Sequence, residues 1–133
     1  MTSRAWFELY AEGSRSLAPT LDDVHVEQPA PGTAIAVFAG EHDLATKRQV
    51  HELLTGLLGD NELVIADFSD AQFVDSSILG VLTAVRREAE DRQTTFRLQL
   101  GTADIVRRAF QIAGLYGMFD IAPTREAALG QRR

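Results

Sequence analysis

The sequence reads as an α/β domain: a single, mostly parallel β-sheet of about five strands, its edge strand antiparallel, covered by about four α-helices. Three observations point there. Strand-like segments alternate with helical ones of about ten to fifteen residues, the pattern of parallel strands joined by helices. Val50, Leu53, Leu54, Leu57 and Leu58 recur at the spacing of one buried helix face. The run ELVIADF (62–68) is almost continuously apolar, as a central strand covered on both faces requires.

The elements follow in order. Residues 1–20 hold Gly13, several serines and Pro19 and read as an irregular N-terminal extension that carries Trp6, Phe7, Leu9 and Tyr10. Residues 21–130 then make one domain. Leu21 to Gln28 alternates weakly and suits an edge strand; Pro29 to Gly32 is a turn. TAIAVFA (33–39) is a β-branched strand that Gly40 ends. Asp43 or Thr46 caps the first helix and Gly59 stops it. After ELVIADF, residues Ser69 to Val74 read as a loop, and a second helix begins near Asp75 and Ser76 with Ile78, Leu82, Val85 and Ala89 inward. Arg86, Arg87, Glu88 and Glu90 form its wet side. TFRLQL (95–100) alternates as a strand. Gly101 and Thr102 lead to a third helix, with Val106, Ala109, Phe110 and Ala113 inward and Gly114 at its end. A short strand near Met118 to Ile121 and a helix from Pro123 to about Leu129 complete the pattern.

Composition narrows the function. The 133 residues fit one domain, long enough to bury roughly two-thirds of the unfolded surface. Thirteen basic against nineteen acidic residues leave a net charge of −6, and Lys47 is the sole lysine. That balance argues against a nucleic-acid partner and against docking on an anionic membrane. The chain has no cysteine, so disulfides, thiolate metal sites and cysteine nucleophiles are excluded. His25, His42 and His51 lack the spacing of a helical metal site, and no metal or other cofactor is expected. No segment reads as a signal peptide or membrane span, so the expected location is the cytoplasm.

In a parallel sheet, chemistry gathers on the loops leaving the carboxyl ends of the strands. Two such loops stand out: Gly40-Glu41-His42-Asp43 and Phe73-Val74-Asp75-Ser76-Ser77. The second sets two hydroxyls at a helix N-terminus, where free N–H groups and the helix dipole favour a negative group. A phosphate on Ser76 would be tolerated there and would add roughly −1.5 to −2 charges beside Asp75. The plainer alternative is that Asp75, Ser76 or Ser77 only caps the helix, an effect of about 1 kcal/mol.

GEHDLAT (40–46), LVIADF (63–68), FVDSSILG (73–80) and ADIVRRAFQIAGLYGMFDI (103–121) together resemble the STAS domain of bacterial anti-sigma factor antagonists, over about Thr33 to Ala128 and in the right order. The resemblance implies the STAS fold and a protein without catalysis of its own, so no catalytic residues are assigned. Such a protein binds an anti-sigma factor, often itself a serine kinase, and frees a sigma factor. The kinase then phosphorylates the antagonist with ATP and a phosphatase restores it. The serine directly after the motif aspartate, the family's phosphorylated position, is here Ser76. The partner-binding set that follows is Asp43, Phe73, Asp75, Ser76, Ser77 and Ile78. Members commonly carry Gly where this chain has Ile78. Replacing Ile78 by Gly is expected to leave the fold intact at up to about 1 kcal/mol.

Other readings fit less well. Glu41 and Asp43 as an acid–base pair lack a nucleophile. A serine hydrolase built on Ser76 lacks a base in the motif, with His42 the one candidate should the loops meet. A phospho-receiver centred on Asp67 needs a late lysine, and Lys47 comes far too early. Arg107 and Arg108 read as a solvated face of the third helix. The remaining rival is a STAS module that binds a partner within a larger assembly without being phosphorylated.

Overall fold

A computed structural model describes residues 23–101 and 104–130; the N-terminal extension expected over 1–20, and Thr102 ahead of the third helix, lie outside the described residues. The strands are β1 (Val24–Ala30), β2 (Thr33–His42), β3 (Leu63–Val74), β4 (Thr95–Gln99) and β5 (Asp120–Ala122). The helices are α1 (Lys47–Asp60), α2 (Ser76–Arg92), α3 (Asp104–Ile112) and α4 (Arg125–Gly130), with 3₁₀ turns at Leu44–Thr46 and Tyr116–Met118. The sheet runs β1-β2-β3-β4-β5; β1 is antiparallel to β2 and every other pair is parallel. Over the described residues this is the expected α/β architecture, with an antiparallel edge strand and four helices.

One face of the sheet carries the main core. Ala34, Ala36, Phe38, Val64, Ala66, Phe68, Phe96 and Leu98 meet the apolar stripes of α1, α2 and α3 there. Phe38 and Phe68 stack across β2 and β3 with ring centroids 4.5 Å apart. The five stripe residues of α1 and the four of α2 are all buried, as their spacing requires. A second cluster on the opposite face joins Ile35, Val37, Leu63 and Ile65 to Ala122 and Ala128 of the C-terminal segment. Burial on both faces explains why β3 begins as a continuous apolar run.

Several expectations need correction. Residues Ser69 to Val74 are not a loop: β3 continues to Val74, paired with a β2 that itself runs on through Gly40 to His42. The pairing survives the polar residues because β3 gains two extra residues against β2, at register shifts between Val37 and Ala39 and between Gly40 and Glu41. The first shift is stabilised by Asp67, whose carboxylate accepts the backbone N–H and the hydroxyl of Ser69 at 2.9 and 2.6 Å. Gly59 does not stop α1; the helix ends one residue later, and the Asn61 side chain donates to the Leu57 carbonyl at 2.9 Å.

In β4 the polar positions are not wet. Arg97 and Gln99 are buried, and the Arg97 guanidinium donates to Asp120 at 2.9 Å and to the Ala128 carbonyl. Ala113 is exposed rather than inward, since α3 ends at Ile112. Arg107 is half-buried and donates to the Tyr116 hydroxyl at 3.4 Å, while Arg108 is exposed as expected. Gly101 sits at φ +64°, and a Cβ there would lie 2.7 Å from that of Ser69. Only glycine fits where β4 leaves the sheet this close to β3.

Candidate functional site

Because β2 and β3 are parallel, both send their chain ends to one edge of the sheet, where the two singled-out loops meet. The backbone joins them: the Asp75 N–H donates to the His42 carbonyl at 3.3 Å. Asp43 is exposed and accepts the Ala45 N–H at 2.9 Å, opening the 3₁₀ turn that leads into α1.

Asp75 is the N-cap of α2, extended at φ −102° and ψ −179°. One carboxylate oxygen accepts the Ser77 hydroxyl at 2.5 Å, the Ser77 N–H at 2.9 Å and the Ile78 N–H at 3.3 Å. The Ser77 hydroxyl holds the Asp75 carboxyl below its ordinary value of 3.8; burial opposes it, and the N–H groups of Ile78, Ser77 and Leu44 add to the lowering. A group lowered in this way stabilises the fold above its unfolded pKa and loses that contribution as pH falls through its folded value. Asp75→Ala is therefore expected to cost about 1 kcal/mol near neutral pH. Denaturant titrations of both proteins should converge once the pH falls well below 3.8.

The two serines of the motif have different surroundings. Ser77 is half-buried and tied to Asp75. Ser76, the first residue of α2, is exposed, and its hydroxyl makes no hydrogen bond among the described residues. Phe73 is 45% exposed beside it, on the last turnout of β3. Ile78 differs from the rest of the expected partner-facing set. It is 0% exposed and lies in the main core, so its side chain points away from the surface and supports the corner from beneath.

His42 is buried, its ring edge against Phe38 at a centroid distance of 5.3 Å, and Nε2 bonded to the Ala39 carbonyl oxygen at 2.9 Å. Held by its own strand, it makes no hydrogen bond to Ser76. Among the described residues there is no group of His, Cys, Asp or Glu disposed to hold a metal ion, and no helix long and apolar enough to cross a membrane.

Alongside this corner runs a groove of about 680 Å³ between the N-terminal halves of α1 and α2. Leu44, Lys47, Arg48 and His51 form one wall and Ser76, Ser77, Gly80, Val81 and Ala84 the other. Sequence reasoning missed this wall of α1. The available signal was Gly80, a glycine inside an otherwise regular helix.

With the geometry in hand, the chain can be set beside known proteins. A family model described as the STAS domain matches residues 26–128. No curated protein matches the chain. Among solved structures it is similar to the Bacillus cell fate determinant SpoIIAA in the phosphorylated form, at 25% identity and TM-score 0.64, covering 83% of this chain and 99% of that one. It is also similar to an anti-sigma factor antagonist from Mycobacterium paratuberculosis, at 22% identity and TM-score 0.68, covering 80% and 90%. A sulfate transporter family protein from Wolinella succinogenes shares the fold at 19% identity and TM-score 0.61, over 78% and 87%. The strand order, the DSS corner at the start of α2 and the extent of the match agree: the chain belongs to the STAS domain family.

Proposed function

We propose that this protein is an anti-sigma factor antagonist of the cytoplasm, a single STAS domain over 21–130 preceded by an N-terminal extension. Unphosphorylated, it binds an anti-sigma factor that is also a serine kinase, and a sigma factor is released. Phosphorylation of Ser76 switches it off, and a phosphatase restores it. In the modification the terminal phosphoryl group of ATP passes to the Ser76 oxygen, the hydroxyl proton goes to a base of the kinase, and ADP leaves. The antagonist does no catalysis itself. The surface offered to the partner is the corner of Asp43, Phe73, Asp75, Ser76 and Ser77, with Ile78 holding its shape.

One observation carries this reading. At the start of α2 the neighbouring hydroxyl, Ser77, is engaged by Asp75, while the Ser76 hydroxyl is exposed and unengaged among the described residues. A kinase needs an accessible hydroxyl, and the helix N-terminus tolerates the charge that results. The test is labelling by the cognate kinase followed by location of the modified peptide. Ser76→Ala is expected to abolish incorporation and Ser77→Ala to leave most of it. Incorporation that survives Ser76→Ala and vanishes in Ser77→Ala would overturn the assignment.

A second reading is favoured by the likeness to the sulfate transporter family protein. In it the domain is an interaction module of a larger assembly that is never phosphorylated. Absence of any labelling by a verified kinase partner would select it.

A further inference from the structure

The groove between α1 and α2 has features that neither the fold nor partner binding at the corner explains. Its α1 wall presents Lys47, Arg48 and His51, and among the described residues no carboxylate lines it, in a chain of net charge −6 whose sole lysine is Lys47. The side chains of Lys47 and Arg48 make no ion pair or hydrogen bond among the described residues, whereas Arg86, Arg92, Arg97 and Arg125 each pair with a carboxylate. On the α2 wall, Gly80 stands inside a helix, where glycine is costly relative to alanine. A Cβ built on it would meet nothing within 4 Å, so no packing contact requires the glycine. It lines the groove together with Ser76 and Ser77.

We propose that this groove receives the phosphoryl group of phosphorylated Ser76 in cis, with Lys47 and Arg48 as its cationic partners. The inference rests on the reading of Ser76 as the modified residue. The modified side chain then folds back onto its own domain instead of standing free at the corner. Phosphate oxygens accept charge-assisted hydrogen bonds from lysine and arginine, and the arginine fork can engage two of them. Phosphorylation thereby changes the corner in two ways: it adds charge at Ser76 and it neutralises two cations of the neighbouring wall.

The charges facing the phosphate oppose one another. Lys47, Arg48 and, when protonated, His51 favour the dianion; Asp75 and Asp43 on the adjoining loops disfavour it. The test is therefore differential. Phosphoserine is installed at position 76 of the full chain by genetic encoding, which needs no kinase, and the phosphate is titrated by ³¹P NMR. Lys47→Ala and Arg48→Ala are each expected to raise the phosphate's titration midpoint by about 0.3–0.5 pH unit, and the double variant by more. Lys47→Arg should keep the wild-type midpoint, and Arg108→Ala, on exposed α3, should move it much less. The Lys47 effect should shrink in 1 M salt, where the screening length falls to about 3 Å. Identical midpoints in wild type and the Lys47 and Arg48 variants, or an Arg108→Ala shift as large as theirs, would overturn the proposal. Neither result depends on which serine the kinase uses, so failure here and failure of the phosphorylation reading are separate outcomes.

Discussion

Ile78→Gly is expected to destabilise the domain by about 3–6 kcal/mol, a large share of the 5–15 kcal/mol typical of a whole domain. Ile78 is completely buried in the main core, where α2 meets the sheet. Removing its side chain leaves a cavity, and an added backbone-entropy cost of up to about 1 kcal/mol accompanies glycine in a helix. The sequence-based expectation of up to about 1 kcal/mol counted only the second effect. Urea unfolding of the wild type, Ile78→Val and Ile78→Gly measures the first. Ile78→Val should lose only about 0.5–1.5 kcal/mol. A loss for Ile78→Gly below about 1 kcal/mol would mean that this side chain is not in the core.

Arg97→Ala is expected to cost about 3–5 kcal/mol, because it empties the space of a large buried side chain and removes the donor to the Ala128 carbonyl. The Arg97 side chain is 2% exposed, and Asp120, its partner on β5, is 43% exposed. That asymmetry decides which charge is stranded. Asp120→Ala removes the exposed partner but leaves the Arg97 charge buried without its carboxylate, so its loss should also reach about 3–5 kcal/mol. Arg97 also donates to the Ala128 carbonyl, which ties α4 to the sheet. Amide hydrogen exchange should therefore speed up first in β5 and α4 of Arg97→Ala, with α1 and α2 protected nearly as before. A loss for Asp120→Ala below about 1 kcal/mol, the size of an exposed pair, would contradict the view that the burial of Arg97 sets the cost.

The parts of the fold that periodicity governs were legible in the sequence. The stripes of α1 and α2 and the apolar first half of β3 are written in the spacing of Val, Leu and Ile, and burial follows that spacing. What escaped was structure held by polar contacts. Ser69 to Val74 carries Ser, Asp and Gln and reads as a loop, yet pairing with β2 and the Asp67–Ser69 contacts keep it in the sheet. Alternation alone sets Arg97 and Gln99 opposite the apolar side chains of β4, and nothing local announces the ion-pair partner 23 residues on at Asp120. At the site, Asp75, Ser76 and Ser77 were legible as a cap and a candidate acceptor. The distinction between the serines was not, since it rests on which hydroxyl Asp75 engages. The cationic wall of α1 was hidden for a similar reason: Lys47 and Arg48 gain meaning only when α2 lies beside them.

If the corner around Ser76 is the partner surface, affinity for the anti-sigma factor follows the charge there. Titration calorimetry of the wild type, Ser76→Ala, Ser76→Asp and the phosphorylated protein against the anti-sigma factor measures that dependence. Ser76→Ala should bind close to wild type, since it removes one hydroxyl and adds no charge. Ser76→Asp should bind more weakly, because it sets a negative group where the partner meets a neutral one. The phosphorylated protein should bind most weakly of all, with roughly −1.5 to −2 charges at that point. Equal affinity for all four forms would mean that the corner is not the interface, and the switch mechanism would have to be abandoned.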